Sequence, residues 1–351
     1  MSPYIVILLL AMLLGSQPVT TDLYLPALPG MRESLNASMS QVQLTFSAML
    51  LSFGASQMVW GPLSDKYGRR PILLWGLGIY IISCMASVMA PTIQWLILAR
   101  IGQGIAVGAA VMCSRAIIRD LYAPIDGTRI MSKALSGLGV LACTAPIIGG
   151  YLTEHFGWQG PMMALVVFGI MCWLLVFFKY QESCSNKNIN ALEFSNLIST
   201  WRHIMSHRTF LIYCALSASS YSLLVTYLSS SSFVFIQIFG WTRAQYGLAL
   251  FVNAAFYIAG TFIGRQFMSR YGFNTTLKLA GLMSLTGATV VGVCGLTGHL
   301  YPATVILPFA LIMVAHGIHQ PLGQASAVGP FPNAAGDRKS TRLNSSHDQR
   351  S

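Results

Sequence analysis

The sequence predicts an all-α protein that crosses a membrane ten times. Three observations carry this reading. Of its 351 residues, 54% are hydrophobic and only 9% are Asp, Glu, Lys or Arg, against about 25% charged in an ordinary globular chain. So few charges cannot clothe the surface of soluble domains of this length. The apolar residues also fall into runs of about 20, the length a helix needs to cross bilayer hydrocarbon. Finally, the basic residues gather in alternate connecting segments. Together these exclude a soluble enzyme, a disordered chain and a nucleic-acid-binding domain.

The first span, 4–26, has an apolar core but no basic leader, and nine further spans follow it, so it reads as a retained helix and not a cleaved signal. It closes on Thr20-Thr21-Asp22-Leu23-Tyr24-Leu25-Pro26-Ala27-Leu28-Pro29. Asp22 is an ionisable group near the outer end, costly there unless it faces a cavity or a partner. It is a candidate for proton coupling or for recognition of a substrate cation; a residue capping the helix end is the alternative. Span two, 41–61, leads into Gly61-Pro62-Leu63-Ser64-Asp65-Lys66-Tyr67-Gly68-Arg69-Arg70-Pro71. Glycine allows a sharp turn. Asp65 can accept hydrogen bonds from a helix N-terminus or an arginine, and Arg69 and Arg70 can anchor at an anionic surface. An ordinary basic turn is the plainer reading.

Span three covers 71–90 and span four 93–115. Span four holds Arg100 and Gln103, followed by Gly104 and Gly108, a Gly-x-x-x-Gly face that lets another helix approach closely. Arg100 is expected at a depth similar to that of Asp22, which suits the two to pair; snorkelling to the outer interface is the alternative. Span five, 132–153, carries Gly137 and Gly139, then Ala145-Pro146-Ile147-Ile148-Gly149-Gly150. Proline removes an internal hydrogen bond and glycine thins the helix, so a bend is expected, serving either as a gate or as static packing. Span six is 159–179.

A polar segment, 180–208, then separates six spans from four. Spans seven to ten are 209–231, 245–265, 276–297 and 302–325. Span seven is rich in Ser and Tyr, span eight holds Asn253 and Tyr257, and span ten holds His316, His319 and Gln320. Two histidines three apart share a helix face. Packing is their expected role, with a proton relay or metal as alternatives; no third ligand is evident. Ser269-Arg270-Tyr271-Gly272 after span eight echoes Ser64-Asp65-Lys66-Tyr67-Gly68 without its acid, and lies six spans later. This suggests a duplicated six-helix unit related by a pseudo-twofold along the membrane normal.

The net charge of +11 marks orientation. With the N-terminus inside, fourteen Lys and Arg, from Lys66 to Lys278, fall at inner loops and helix ends, and only Arg32 and Arg243 at outer ones. The seven cysteines show no C-x-x-C pair and read as small packed hydrophobes.

These features, in this order, resemble the major facilitator superfamily and, within it, the Bcr/CflA-type drug or metabolite efflux group. Gly61 to Arg70 resembles the family's loop between helices two and three. Arg100-Ile101-Gly102-Gln103-Gly104 resembles its helix-four motif, and Ala145 to Gly150 its helix-five antiporter motif, with Ala145 where glycine is usual. Thr21 to Pro29 is the part most like the subgroup. The resemblance runs from about residue 10 to about residue 336. It implies alternating access, with Asp22, Arg100, Tyr24 and Gln103 at a proton-coupling or substrate cavity. Gly61, Asp65, Gly68, Arg69 and Arg70 would form a conformational latch, and Gly139, Ala145, Pro146, Gly149 and Gly150 the antiporter helix. The expected function is proton-coupled efflux of a small organic compound. Proton-coupled uptake, and behind it a membrane sensor, are the alternatives. The expected partners are that substrate, protons and membrane lipids, with no nucleic acid, cofactor, metal or enzymatic activity, in a monomer of the bacterial inner membrane with its N-terminus in the cytoplasm.

The expected organisation is a six-helix bundle over 1–180, a cytoplasmic linker over 181–208, four helices of a second bundle over 209–336, and a polar run over 337–351 that reads as an artefactual or disordered tail. The family's usual twelve helices would make the second bundle incomplete by two.

Overall fold

A computed structural model describes residues 2–184, 187, 194–328 and 330–331; the run 337–351 lies outside them. The described chain is helical throughout, and ten of its helical segments are long and apolar enough to cross a membrane. In order the helices are α1 (Pro3–Asp22), α2 (Leu28–Ser34), α3 (Met39–Tyr67), α4 (Arg69–Val88), α5 (Ile93–Leu121), α6 (Pro124–Phe156), α7 (Gln159–Lys179), α8 (Phe194–Ser206), α9 (Arg208–Ser232), α10 (Arg243–Tyr271), α11 (Phe273–Leu296) and α12 (Pro302–Val328). A short 3-10 turn, Leu25–Ala27, joins α1 to α2, and α9 runs on into a π-helical turn, Phe233–Ile238.

Local chemistry sets several boundaries. Ser38 begins α3 as a capping box, its hydroxyl accepting from the Gln41 N–H while the Gln41 side chain accepts from the Ser38 N–H. Thr92 caps α5 by accepting from the Trp95 N–H. Helices run further than the spans expected for them. The segment after Gly61, expected as a turn, continues α3 to Tyr67, and the break is Gly68 alone, at φ +105°. That region admits glycine readily and other residues only under strain. Gly272, at φ +78°, makes the corresponding break between α10 and α11. Within the expected polar linker, Phe194–Ser206 is a helix.

Contacts divide the chain into two units. One comprises Met1–Leu192 with Val225–Ala255, the other Glu193–Leu224 with Phe256–Ser351. In the first, α5 packs along α3 and α4, α1 along α6, and α4 along α7. The Gly-x-x-x-Gly face of α5 does what its spacing predicts: a Cβ on Gly104 would strike Ser52 and the Met49 carbonyl, and one on Gly108 would strike Ser56, all on α3. The start of α10 joins this unit through a second glycine crossing, where a Cβ on Gly247 would meet the Pro146 backbone and one on Gly150 the Arg243 backbone. Span order alone does not give that grouping. In the second unit α11 packs along α12, with Ala280, Ala315 and Ile318 in its core.

Candidate functional site

Arg100, on α5, is fully buried. A cation in the membrane interior must be met by polar groups or aromatic faces. Its Nη1 and Nη2 both donate to the Thr20 carbonyl at 3.3 Å, and Nη1 also to Gln103 Oε1 at 2.6 Å. The guanidinium lies 4.0 Å from the centroid of the Tyr24 ring, a cation–π contact. The last carbonyls of a helix have no partner within it and carry its negative dipole end. Thr20 stands two residues before the end of α1, so its carbonyl is such an acceptor. A second layer fixes the first. Gln103 donates to Ser87 Oγ at 2.8 Å and to the Ser83 carbonyl at 3.4 Å. Thr20 Oγ1 shares a hydrogen bond with Tyr80 Oη at 2.7 Å, and Tyr24 Oη shares a short one with Thr45 Oγ1.

Asp22 does not pair with Arg100. Among the described residues neither takes part in an ion pair. Asp22 is partly exposed and accepts from Thr21 Oγ1 at 2.8 Å. The cause is helical phase: residues two apart stand about 200° apart around the axis. Thr20 therefore turns to Tyr80 on α4, while Asp22 points away from Arg100 and pairs with Thr21. Tyr246 is buried and shares a 2.7 Å hydrogen bond with Ser231 Oγ. Nearby polar groups on the same helices also pair, Asn253 Nδ2 donating to Tyr227 Oη at 2.9 Å.

The helix-five motif flanks this region. Ala145 is buried, Pro146 lies within α6, and a Cβ on Gly149 would strike the Leu23 backbone, directly after Asp22. With Gly150 against Arg243, and the Arg243 guanidinium donating to the Thr153 carbonyl at 3.2 Å, α6 is wedged between the end of α1 and the start of α10. Gly139 stands apart, with open space where a side chain would go.

A second cluster forms at the other end of the unit, around Gly68. Arg69 is buried. It donates from Nη1 to Asp65 Oδ1 at 2.6 Å and to Ser64 Oγ at 2.7 Å, and from Nε to Asp120 Oδ2 on α5 at 3.0 Å. Glu182 closes the cluster, its two carboxylate oxygens accepting the backbone N–H groups of Arg69 at 2.9 Å and Arg70 at 3.0 Å. These are the first N–H groups of α4, which have no partner inside the helix and favour an anion. A side chain at Gly68 would strike that carboxylate. Arg70 answers at the opposite dipole, donating to the Phe177 and Tyr180 carbonyls at 2.9 and 3.0 Å where α7 ends. Arg69 and Arg70, expected to be able to anchor at an anionic surface, here hydrogen-bond to protein partners. Gly61 approaches Met112 of α5. A cavity of ≈ 250 Å³ opens beside Glu182, lined also by Val6, Leu121, Tyr122 and Gln181.

In the second unit, His316 and His319 are buried. His316 Nδ1 shares a 2.8 Å hydrogen bond with Ser220 Oγ, and the rings of Tyr221 and Tyr257 flank it. Among the described residues no group of His, Cys, Asp or Glu has the geometry to hold a metal ion.

Sequence reasoning did not find Asp120, Glu182, Tyr80, Thr45 or Tyr246. Asp120 carried one available signal, as an acid five residues after Arg115 at a basic helix end; the others are tied to the site only by tertiary contact.

Residues 8–338 match the family profile described as the Major Facilitator Superfamily. The chain is similar to the "Bicyclomycin resistance protein homolog" of Haemophilus influenzae, 26% identical over 340 residues, covering 97% of this chain and 85% of the relative. It is similar to "Multidrug resistance protein D" of Escherichia coli, 25% identical over 332 residues, 94% of this chain and 82% of that one. Among solved structures it shares its fold with a D-xylose-proton symporter, with a TM-score of 0.67, 16% identity and coverage of 95% and 87%.

Proposed function

The chain belongs to the Major Facilitator Superfamily and is a multi-pass protein of the bacterial inner membrane that moves a small molecule by alternating access; from that premise we propose that the movement is coupled to protons through Asp22. The observation that carries this is the arrangement at the end of α1. Asp22 is a partly exposed carboxyl without an ion-pair partner among the described residues, one helical phase away from a fully buried guanidinium that also has none. Such a carboxyl can take up or release a proton as its surroundings change. Arg100, held by Thr20, Gln103 and Tyr24, supplies a fixed positive field and ties the end of α1 to α5. A change at Asp22 is therefore felt at the Leu23–Gly149 contact and along α6.

The cluster around Arg69 suits a latch. It joins the ends of α3, α4, α5 and α7 with the residues leading out of α7, through charges that separate only at a cost. In this reading Gly61, Asp65, Gly68, Arg69 and Arg70 belong to the latch together with Asp120 and Glu182, which is supported by the bonds Arg69 and the first N–H groups of α4 make to those acids. We assign the N-terminus to the cytoplasm on the distribution of basic residues. Thr21 to Pro29 and the similarity to a bicyclomycin resistance homolog favour the Bcr/CflA-type group.

Two directions of transport are open to this machinery. Uptake with a proton is supported by the architecture the chain shares with a D-xylose-proton symporter. Export against a proton is supported by the Pro146–Gly150 motif and by the resistance proteins it is similar to. One assay decides between them. In proteoliposomes under an imposed pH gradient, a symported solute accumulates on the alkaline side and an antiported one on the acidic side. Gradient-driven movement that is unchanged in Asp22→Asn would refute proton coupling through Asp22.

A further inference from the structure

The second unit buries two histidines in surroundings that hold no acid. His316 and His319, near the middle of α12, are 4% and 3% exposed. Between Glu193 and Asp337 the sequence contains no Asp or Glu. The charged residues that α9, α11, α12 and the second-unit part of α10 carry are Arg208, Arg265, Arg270 and Lys278, all positive and all exposed. The titratable groups that face the pair are therefore few. From α9 comes Tyr221 and from α10 Tyr257, their rings 6.2 and 5.5 Å from that of His316. From α12 each histidine meets the other, three residues away on one face. α11 contributes none, its Lys278 being exposed. Of these groups only the imidazoles change charge between about pH 5 and 8.

The helices around the pair are closely packed. His316 Nδ1 shares its hydrogen bond with Ser220 Oγ of α9 at 2.8 Å. Gln320, one turn on, donates to the Ser217 carbonyl at 3.4 Å. A Cβ on Gly323 would strike Ser217 of α9, and one on Gly317 the Tyr257 backbone of α10. Neither ring nitrogen of His319 makes a well-formed hydrogen bond. A proton on either ring would thus create a buried imidazolium with no anion beside it and a second imidazole close by. Parting α12 from α9 is what would let water reach that charge.

We propose that the α9–α12 seam is an acid-sensitive clasp, shut while His316 and His319 are both neutral and opened when either takes up a proton. The clasp is at full strength above about pH 6.5, where an exposed histidine is already neutral, and weakens as the pH falls below it.

Hydrogen exchange of the full chain in lipid nanodiscs, followed by mass spectrometry, tests this. Amide protection in α9 and α12 reads the seam, with α3 to α5 of the first unit as internal control and exchange times scaled for the intrinsic effect of pH. Between pH 7.5 and 5.5 protection should fall by about tenfold for each imidazole that opening releases. The fall should vanish in the double variant His316→Gln with His319→Gln, whose amides hydrogen-bond but do not titrate. Ser220→Asp supplies an anion beside His316 and should remove that ring's share of the fall. Unchanged wild-type protection at pH 5.5 would overturn the proposal, as would a fall of wild-type size in the double variant or in Ser220→Asp. If the variants do not fold, the wild-type titration decides: a fall that begins near pH 6.5 supports the clasp, and one that begins only below about pH 5, toward the carboxylate range, overturns it.

Discussion

Neutralising Asp120 is expected to cost more stability than neutralising Asp65, although Asp65 makes the shorter bond to Arg69. The Asp65 contact is 2.6 Å and the Asp120 contact 3.0 Å, but the Asp65 side chain is 43% exposed and that of Asp120 16%, while Arg69 is 4% exposed. Exposed pairs are screened and contribute about 0.2–1 kcal/mol. Breaking a buried pair by removing one partner costs about 3–5 kcal/mol, because a charge is left without compensation. Asp120→Asn falls between these limits. Arg69 keeps Asp65, and an amide oxygen can still accept from Nε, so we expect about 2 kcal/mol for Asp120→Asn and under about 1 kcal/mol for Asp65→Asn. The first corresponds to about a thirtyfold change in the folding equilibrium. Equilibrium unfolding in mixed detergent, followed by tryptophan fluorescence, measures both. A double-mutant cycle with Arg69→Met should give the larger coupling to Asp120. If Asp65→Asn costs as much as Asp120→Asn, then distance and not burial governs this cluster, and the reasoning fails.

Other perturbations have equally definite outcomes. Gly68→Ala forces a side chain into φ +105° and against the Glu182 carboxylate; a loss of about 1–3 kcal/mol is expected in the same unfolding assay, and a neutral result would mean that the turn relaxes freely. Gly104→Val drives methyl groups into Ser52 and the α3 backbone, whereas Gly139→Val enters open space; the first should lower stability by about 1–3 kcal/mol or more and the second by little, and equal effects would contradict the packing of α5 on α3. Arg100→Lys keeps the charge but loses the paired donation to Thr20 and the flat contact with Tyr24; transport into proteoliposomes should fall by about tenfold while the protein still folds, and native rates would show that charge alone suffices. Glu182→Gln keeps hydrogen-bonding capacity toward the first N–H groups of α4 but not the charge, and should cost less than Glu182→Ala, which removes the cap at about 0.5–2 kcal/mol.

The ten spans were legible because a helix in lipid must be about 20 residues long and almost wholly apolar, so length and composition leave few alternatives. The same logic found Gly104 and Gly108, since small residues four apart mark a helix crossing. Their partner was not legible: nothing in the sequence names Ser52 and Ser56 of α3. The helix inside the polar linker was not legible from its composition, because only at helical spacing do Ile198, Trp201 and Met205 fall on one face.

At the site the division is sharper. Asp22 and Arg100 stand out in the sequence because charges are scarce inside membranes. Their chemistry suggested a pair, and the fold separates them, since Thr20 and not Asp22 shares the helical phase that faces α4 and α5. Arg69, visible as part of a basic turn, turned out to be surrounded by acids from three segments, two of which, at Asp120 and Glu182, lie 51 and 113 residues away. The sequence by itself determined which residues enter the membrane, which carry charge there and where helices can touch, because burial in lipid restricts composition position by position. Only the tertiary structure decided which charged group meets which, because a hydrogen bond is settled within about 3 Å, and a half-turn of a helix moves a side chain further than that.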